Sequence, residues 1–179
     1  MIKQNGNTIH LMGKEVSYVM VINENADLIN FHIGKKIADR DYSLMKEQWI
    51  EGGGIMSNTI PLDVYPQEYP SYGLSDLRNP AYQIMNKFGH PSAKLTVKDI
   101  IIHENEAVKV KDMPSLNKGD CKVDTLEVVL TDDAVEFEAH LYYVVFEDYN
   151  IIARHAVLVN RADCDIELNS AYSMSLDFP

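Results

Sequence analysis

The side chains of this sequence best suited to metal binding or nucleophilic chemistry are its histidines and cysteines. The six histidines are His10, His32, His90, His103, His140 and His155. None of them belongs to an HxxxH or HExxH motif or stands beside a cysteine, and Cys121 and Cys164 form no CxxC pair. This spacing predicts neither a bound metal nor another cofactor. It predicts free thiols, as is usual in a reducing cytosol.

Nucleotide binding and serine-based hydrolysis also lack their usual signatures. The glycine run at residues 52–54 does not match the GxGxxG loop that holds a phosphate, and no GxSxG motif is present to place a nucleophilic serine. His140 and His155 lie on either side of a turn at residues 147–150. We expect them to pair across two neighbouring strands as ordinary sheet residues.

Carboxylates are abundant, with 27 Asp and Glu residues, and a glycosidase needs only two of them, held about 5–9 Å apart. The pairs Asp132-Asp133 and Glu136/Glu138 lie at a predicted turn and on the polar face of a predicted strand. This placement is typical of a solvated acidic surface, and that is the interpretation we adopt for both pairs.

Four residues are best suited to contact a sugar, namely Trp49, Glu68, Asp76 and Arg78. Aromatic faces stack on patches of sugar C–H groups, and carboxylate and guanidinium groups hydrogen-bond to hydroxyls. A plain packing role is an equal alternative for Trp49.

Two consecutive segments must position these residues. The Pro/Tyr segment, residues 61–82, reads PLDVYPQEYPSYGLSDLRNPAY and holds four of the seven prolines and four of the ten tyrosines. Proline fixes φ and favours an extended residue before it, so this segment is predicted to be an extended path with turns. Composition alone favours an ordered loop whose tyrosines cover a sheet edge. The glycine-rich segment, residues 41–57, precedes it, and its three successive glycines indicate a mobile connector or a loop that orders against a partner.

Alternating apolar residues predict strands along most of the remaining sequence. The first three strands are predicted at residues 8–12, 16–22 and 28–33, the second buried on both faces and the third ended by Gly34. Short turns between them indicate an antiparallel meander.

A strand is also predicted at residues 125–130, and period-2 stretches are found at residues 94–103, 135–145, 151–159 and 166–178. In the stretch at 151–159 the apolar face is assigned to the odd-numbered residues, opposite Arg154. Long period-2 patterns at this spacing predict an all-β fold, a two-layer antiparallel β-sandwich.

Length and charge limit the class of protein. A chain of 179 residues, 46% of them hydrophobic, is predicted to form one domain with its own core. The formal net charge of −11 argues against nucleic acid and anionic membrane as partners. No apolar run reaches the ~18 residues of a membrane span, and the N-terminal residues lack a signal-peptide core. A cytoplasmic location is therefore expected.

The stretch LDVYPQEYPSYGLSDLRNPAYQI resembles the LDxxPQEYPxYGxxDxRxPAYQ block of bacterial α-galactosidases of glycoside hydrolase family 36. Similar stretches follow in order along essentially the whole chain: SYVMVI, HIGKKI, DTLEVVL, FEDYNIIARHAVLVN and SAYSMSLDFP. The resemblance implies that residues 1–179 form the N-terminal β-supersandwich domain, with a galactose-mutarotase-like fold. It also implies a (β/α)8 barrel beyond residue 179 that carries the two catalytic aspartates of retaining α-galactoside hydrolysis. No barrel motif lies in this chain, so the resemblance assigns it no catalytic residue.

The same resemblance implies a homotetramer in which a loop of this domain reaches the sugar pocket of a neighbouring subunit. The corresponding loop here is the glycine-rich segment, which carries QWIEGGG and lacks the commoner Asp-Arg-x-Phe. On this basis Glu47, Trp49 and Glu51 are candidate substrate-binding residues of the full-length enzyme. The interface candidates in the Pro/Tyr segment are Tyr69, Tyr72, Asp76 and Arg78.

The expected role is therefore that of a non-catalytic domain that packs on its own barrel and organises the oligomer. A free-standing carbohydrate-binding or sugar-epimerising β-supersandwich protein is the alternative, because one fold can host many functions.

Overall fold

The computed structural model of the chain describes residues 1–43, 45, 66–74 and 78–176. In this part of the chain the strands are β1 Ile2–Asn5, β2 Thr8–Met12, β3 Val16–Ile22, β4 Leu28–Lys35, β5 Tyr82–Met85, β6 Thr96–His103, β7 Val123–Asp132, β8 Phe137–Phe146, β9 Ile151–Asn160 and β10 Glu167–Ala171. A short 3-10 helix, Glu147–Tyr149, connects β8 to β9.

The first sheet has the strand order β1-β2-β3-β4 and is antiparallel throughout. Strands β2 and β3 have the predicted bounds, and the middle of β3 is buried on both faces. The prediction that Gly34 ends the third strand is wrong. Lys35 still pairs with Val16, because the backbone ladder with β3 continues through the glycine. Strand β1 was not predicted, since only Ile2 of its four residues is apolar.

The second sheet has the order β6-β7-β8-β9 and is also antiparallel. The long period-2 patterns that predict β8 and β9 are confirmed, and the strand predicted at residues 125–130 forms the middle of β7; each of the three strands has ten residues. The β7–β8 and β8–β9 pairs keep one register over their whole length. This regular sheet supplies the larger share of the core.

A third, two-stranded sheet pairs β10 with β5. The prediction of one strand over residues 166–178 is too long, because β10 covers only Glu167–Ala171. Leu168, Tyr172 and Met174 are about half exposed, so their period-2 pattern does not mark a buried face here.

The core lies between the inner faces of the two four-stranded sheets. Residues from β2, β3, β7 and β8 are fully buried in it: Ile9, Leu11, Met20, Leu126, Val128, Ala139, Leu141, Tyr143 and Val145. Burying each large apolar side chain of this kind stabilises a fold by about 1.5–3 kcal/mol. The predicted all-β, two-layer antiparallel sandwich is confirmed.

The face assignment on β9 is reversed relative to the prediction. Ile152, Ala156 and Leu158 pack against the core, and Arg154 lies on the same face. The odd-numbered residues point to the outer face of the sheet instead. Periodicity cannot identify the buried face of a strand that has apolar residues on both faces. Arg154 also gives the core-facing side of β9 a charged residue, which is typical of a side that faces solvent.

The outer face of the first sheet is covered by the chain that follows β4. Tyr42 is 3% exposed and packs with Val19 and Val21 in a second apolar cluster that includes Phe31. This cover explains why β3 is buried on both faces.

Candidate functional site

The most informative site is the pair of anchors on either side of residues 46–65, which contain most of the glycine-rich segment. Thr8 on β2 forms the first anchor. Its hydroxyl donates to Asp41 Oδ1 at 2.9 Å and accepts from the Tyr42 backbone N–H at 2.8 Å. The Tyr42 ring lies 5.1 Å from that of Phe31, between ring centroids. The chain is therefore fixed on the first sheet just before it enters this segment.

The second anchor is formed where the Pro/Tyr segment meets the free edge of β4. The Asn30 N–H donates to the Pro66 carbonyl at 2.7 Å, and the Glu68 N–H donates to the Leu28 carbonyl at 2.9 Å. A β-bridge between Ile29 and Gln67 lies between these bonds. The segment is thus extended and adds a short strand to the sheet edge, in agreement with the path predicted from its prolines.

Glu68 fixes this anchor inside the protein. Its side chain is 0% exposed, and its Oε1 accepts hydrogen bonds from the hydroxyls of Tyr18 at 2.6 Å and Tyr143 at 2.7 Å. Its Oε2 accepts from Asn30 Nδ2 at 2.8 Å. Glu68 was a candidate for sugar contact, and the structure contradicts that role, because both oxygens are buried and bonded within the chain.

Arg154 on β9 balances the Glu68 charge. Its Nη1 lies 2.7 Å from Glu68 Oε1, its Nη2 donates to the Glu68 carbonyl at 3.1 Å, and its guanidinium stands 5.0 Å from the Tyr143 ring centroid. Only 5% of the Arg154 side chain is exposed. Since Tyr18 belongs to the first sheet and Tyr143 and Arg154 to the second, the group joins both layers to the Pro/Tyr segment.

The two tyrosine hydroxyls of this group stay protonated. Burial raises the pKa of Tyr18, and the nearby Glu68 carboxylate raises it further. Burial also raises the pKa of Tyr143 well above its ordinary value. Both hydroxyls are therefore fixed donors to Glu68, and the arrangement is structural. Removing one partner of such a buried ion pair typically costs about 3–5 kcal/mol.

The predicted site and interface residues that the structure describes differ in their exposure. Tyr69 is 5% exposed, and its ring stacks on Tyr82 with 5.3 Å between centroids. Tyr72 is 44% exposed, and Arg78 is half-buried. Glu47, Trp49, Glu51 and Asp76 lie outside the described residues, so their roles stay predictions.

The outer face of the second sheet carries a separate polar cluster around Glu127. Its oxygens lie 2.7 Å from His140 Nδ1 and 3.2 Å from His103 Nε2, and Tyr142 donates to it at 3.0 Å. Burial raises the pKa of Glu127, but the hydrogen bonds from His140, His103 and Tyr142 outweigh it and lower the pKa. The expected pairing of His140 with His155 is wrong, because the strand register places His155 opposite Tyr142, on which it stacks.

Glu138 lies next to this cluster. The prediction that Glu138 belongs to a solvated acidic surface is wrong. Its side chain is only 5% exposed, with Lys98 Nζ at 2.8 Å and Arg161 Nη1 at 3.0 Å from its oxygens. The hydrogen bond from Lys98, with that from Arg161, lowers the pKa of Glu138 to about 2. Glu136 does lie at the surface, as predicted.

These two carboxylates do not form a glycosidase pair. Hydrolysis with an acid/base residue requires one carboxyl group whose raised pKa keeps it protonated. Both Glu127 and Glu138 have lowered pKa values and are ionised. Within the described residues, no group of three or more His, Cys, Asp and Glu side chains is arranged to hold a metal ion. Both cysteines are free, Cys121 buried and Cys164 exposed.

Sequence reasoning missed the partners of Glu68. Tyr18 and Asn30 come from the consecutive strands β3 and β4, whereas Tyr143 and Arg154 come from β8 and β9 near the other end of the chain. One signal was available, since an arginine within an otherwise apolar strand requires a buried counter-charge when it faces the core. Identifying that counter-charge required knowledge of which strands are neighbours.

The described residues include no helix long and apolar enough to cross a membrane.

Comparison with known proteins finds relatives that are named alpha-galactosidases. The sequence model described as "Glycosyl hydrolase family 36 N-terminal domain" matches residues 26–179. Alpha-galactosidase AgaA of Geobacillus stearothermophilus is 31% identical over an alignment of 175 residues that covers 95% of this chain and 24% of that protein. The bifunctional alpha-galactosidase/sucrose kinase AgaSK of Mediterraneibacter gnavus is 32% identical over an alignment of 167 residues that covers 90% of this chain and 18% of that protein. The chain thus spans about a quarter or less of these relatives.

Solved structures agree with the sequence comparison. The alpha-galactosidase AgaB of Geobacillus stearothermophilus superposes on all of this chain with a TM-score of 0.83 and 30% identity, over 25% of its own length. The alpha-galactosidase of Lactobacillus brevis gives a TM-score of 0.84 at 25% identity, over 96% of this chain and 24% of its own length. The chain belongs to the glycosyl hydrolase family 36 N-terminal domain family.

Proposed function

We propose that this chain is the non-catalytic N-terminal β-domain of a longer, cytoplasmic α-galactosidase. The longer enzyme would hydrolyse terminal α-D-galactosides with retention of configuration, at two aspartates of a (β/α)8 barrel that follows residue 179. The family match supports this proposal, as do relatives named alpha-galactosidases of which the chain spans about a quarter. The lowered pKa values of Glu127 and Glu138 support the non-catalytic role.

The domain's work would be to pack on the barrel, to organise a homo-oligomer and to present residues 46–65 at a neighbouring active site. The observation that carries this proposal is the buried Glu68–Arg154 pair, which fixes one end of that segment to both sheets. Thr8 fixes the other end. Two rigid ends close to the same sheet limit where the intervening residues can reach, and such positioning is what a substrate site needs.

Glu47, Trp49 and Glu51 are the proposed substrate-contacting residues of this segment. An indole face suits the apolar C–H patch of a galactoside, and flanking carboxylates suit its hydroxyls. The exposed ring of Tyr72, together with Asp76 and Arg78, is the proposed contact surface for the barrel or a neighbouring subunit. Tyr69 would shape this surface from beneath, because its ring lies inside the domain.

The test is Trp49→Ala in the full-length enzyme, assayed on a chromogenic α-galactoside. We expect kcat/KM to fall at least tenfold, mainly through KM, while light scattering reports an unchanged oligomer. Tyr149→Ala is the matched control, since Tyr149 is 56% exposed and lies in the turn between β8 and β9. Unchanged kinetics of the Trp49 variant in an intact oligomer would overturn the role of the segment.

The alternative of a free-standing sugar-binding or sugar-epimerising protein is distinguished by the coding sequence past residue 179. A continuing barrel with an aspartate at a strand end supports the proposal, and a stop codon supports the alternative. Robust hydrolysis of the chromogenic substrate by the 179-residue chain alone would contradict the non-catalytic role.

A further inference from the structure

Three turns meet at one end of the second sheet, opposite the end that carries the β8–β9 turn. They are the turn after β5 at residues 86–90, the β7–β8 turn at residues 133–136 and the turn after β9 at residues 161–165. Lys87 of the first turn forms an ion pair with Glu136 of the second. The Arg161 N–H of the third donates to the Glu136 carbonyl at 2.8 Å. Glu136 therefore connects all three turns.

A polar cleft of about 310 Å³ opens beside these turns. The described residues that line it are all polar or charged, namely Lys98, Thr131, Asp133, Glu136, Glu138 and Arg161. Its volume lies at the lower end of the range found for small-molecule sites, about 300–1,000 Å³. The walls offer both donors and acceptors, so the cleft suits a ligand that forms many hydrogen bonds.

The charges at the polar cleft balance one another. The carboxylates belong to Asp133, Glu136 and Glu138, and the cations to Lys98, Arg161 and, through its pair with Glu136, Lys87. A charged ligand would bring an uncompensated charge to such a site. A neutral molecule with many hydroxyl groups can donate to the carboxylates and accept from the cations. The balance therefore favours a neutral, polyhydroxylated ligand.

The cationic side chains of the polar cleft are positioned by a buried carboxylate. Glu138 lies 2.8 Å from Lys98 Nζ and 3.0 Å from Arg161 Nη1. About half of each cationic side chain is exposed nonetheless, so both can also donate to a ligand. Donors that are already fixed lose little freedom on binding, which favours affinity.

Phe88 supplies an aromatic ring at the rim of the polar cleft. Its side chain is 62% exposed, and Lys87 Nζ, which pairs with Glu136, lies 5.2 Å from the ring centroid. The Phe88 N–H donates to Asn86 Oδ1 at 2.9 Å, which fixes the turn that carries the ring. Such a ring can stack on the apolar C–H face of a pyranose while neighbouring polar groups bind its hydroxyls.

We propose that this end of the second sheet binds a neutral carbohydrate chain. One pyranose ring stacks on Phe88, and hydroxyl groups of the chain bond to Asp133, Glu136 and Arg161. This inference goes beyond the proposed function, because it requires neither residues 46–65 nor hydrolysis. Only the choice of a galactose-bearing probe rests on that function.

A protein partner suits this surface less well. Surfaces that dock proteins usually expose a contiguous apolar patch. Phe88 instead stands between Lys87 and the exposed Gly89 and His90, beside a cleft whose described walls are polar. A single ring among polar groups is better matched to a sugar than to an apolar protein surface.

Affinity electrophoresis of the full-length protein tests the proposal, in native gels that contain galactomannan, a neutral polysaccharide with α-linked galactose side chains. We expect galactomannan to retard the wild type, and the dissociation constant obtained from the retardation to rise at least fivefold in Phe88→Ala. Phe88→Trp keeps an aromatic face and should retain binding. Tyr149→Ala is the matched control, because Tyr149 is similarly exposed but lies in the turn at the other end of β8. Equal retardation of Phe88→Ala and Tyr149→Ala would overturn the proposal.

Three further measurements separate this site from other roles of the ring. Equal kcat/KM values of wild type and Phe88→Ala on a chromogenic α-galactoside are expected, and an equal loss of kcat/KM and of retardation would overturn the proposal. Stronger retardation by the anionic polysaccharide alginate than by galactomannan would overturn it, because the cleft would then select charge. A change in the oligomer of Phe88→Ala in light scattering would also overturn it, because the ring would then be a subunit contact. Absence of α-galactosidase activity in the wild type would count against the proposed function alone, since retardation is measured without hydrolysis.

Discussion

Arg154 and Glu68 form a buried ion pair, with 2.7 Å between Nη1 and Oε1, that connects the edge strand of the second sheet to the Pro/Tyr segment. Tyr18 and Tyr143 complete the coordination of the shared oxygen. One acidic residue thus receives its partners from both layers of the sandwich, and its main role is to hold the segment that carries it.

Glu68→Gln is expected to lower the free energy of unfolding by about 3–5 kcal/mol, because it leaves the Arg154 charge buried without its counter-charge. Urea denaturation measures the change. Glu136→Gln is the control, since Glu136 is about half exposed and its pairing with Lys87 should contribute less than about 1 kcal/mol. Replacing both Glu68 and Arg154 by Gln and Met should recover part of the loss. Equal stability of the Glu68 variant and the control would refute the structural role.

Tyr143→Phe is expected to destabilise the protein by about 1–3 kcal/mol, because Glu68 then loses one of its buried hydrogen-bond donors. The neighbouring residue provides the matched control. Tyr142→Phe removes a hydroxyl from the outer face, where Glu127 keeps its bonds to His140 and His103, so a loss below about 1 kcal/mol is expected. Thermal or urea unfolding of both variants measures the two losses of stability. A larger loss for Tyr142→Phe than for Tyr143→Phe would contradict the prediction.

Glu138 should make stability depend on acid pH. Lys98 and Arg161 lower its pKa from 4.5 to about 2 in the folded protein. Its contribution is therefore fully present above about pH 4.5 and is lost as the pH falls towards 2.

At pH 7 we expect Glu138→Gln to cost about 1–2 kcal/mol, since both cationic partners are about half exposed and solvent weakens their attraction. Urea denaturation of wild type and variant between pH 7 and pH 3 should show the difference shrinking below pH 4.5. A difference that stays constant over this range would exclude the ion pairs as its source.

Thr8→Val should loosen the first anchor of residues 46–65, because the valine keeps the shape of threonine but loses the bonds to Asp41 and Tyr42. We expect a loss of about 1 kcal/mol in stability and, in the full-length enzyme, a severalfold rise in KM with kcat little changed. Thr131→Val is the control, since its hydroxyl donates to exposed Asp133. Identical KM values for Thr8→Val and Thr131→Val would show that the first anchor does not affect substrate binding.

Much of the fold follows from local sequence pattern, and the central site does not. Strands β2 and β3 have their predicted bounds because a turn at residues 13–15 separates two apolar runs. Sequence pattern predicts the wrong core face for β9, because both faces carry apolar residues and the charge of Arg154 favours a solvent-facing side. The burial of Glu68 depends on Tyr18, Tyr143 and Arg154, which are 50 to 86 residues away in the chain. Periodicity describes one strand at a time and cannot report such a meeting.

The origin of the Glu68 partners also has a consequence for the order of folding. The β2–β3 hairpin needs only local contacts, which form early because little loop entropy is lost. The donors to Glu68 come from β3, β4, β8 and β9, so its carboxylate can lose its water only after both sheets have docked. We therefore expect the side-chain bonds of the second anchor to form only after its backbone bonds to β4, once both sheets have docked. A chain with only one sheet formed would lack the buried Glu68 pair, which makes this part of the anchor depend on completion of the whole sandwich.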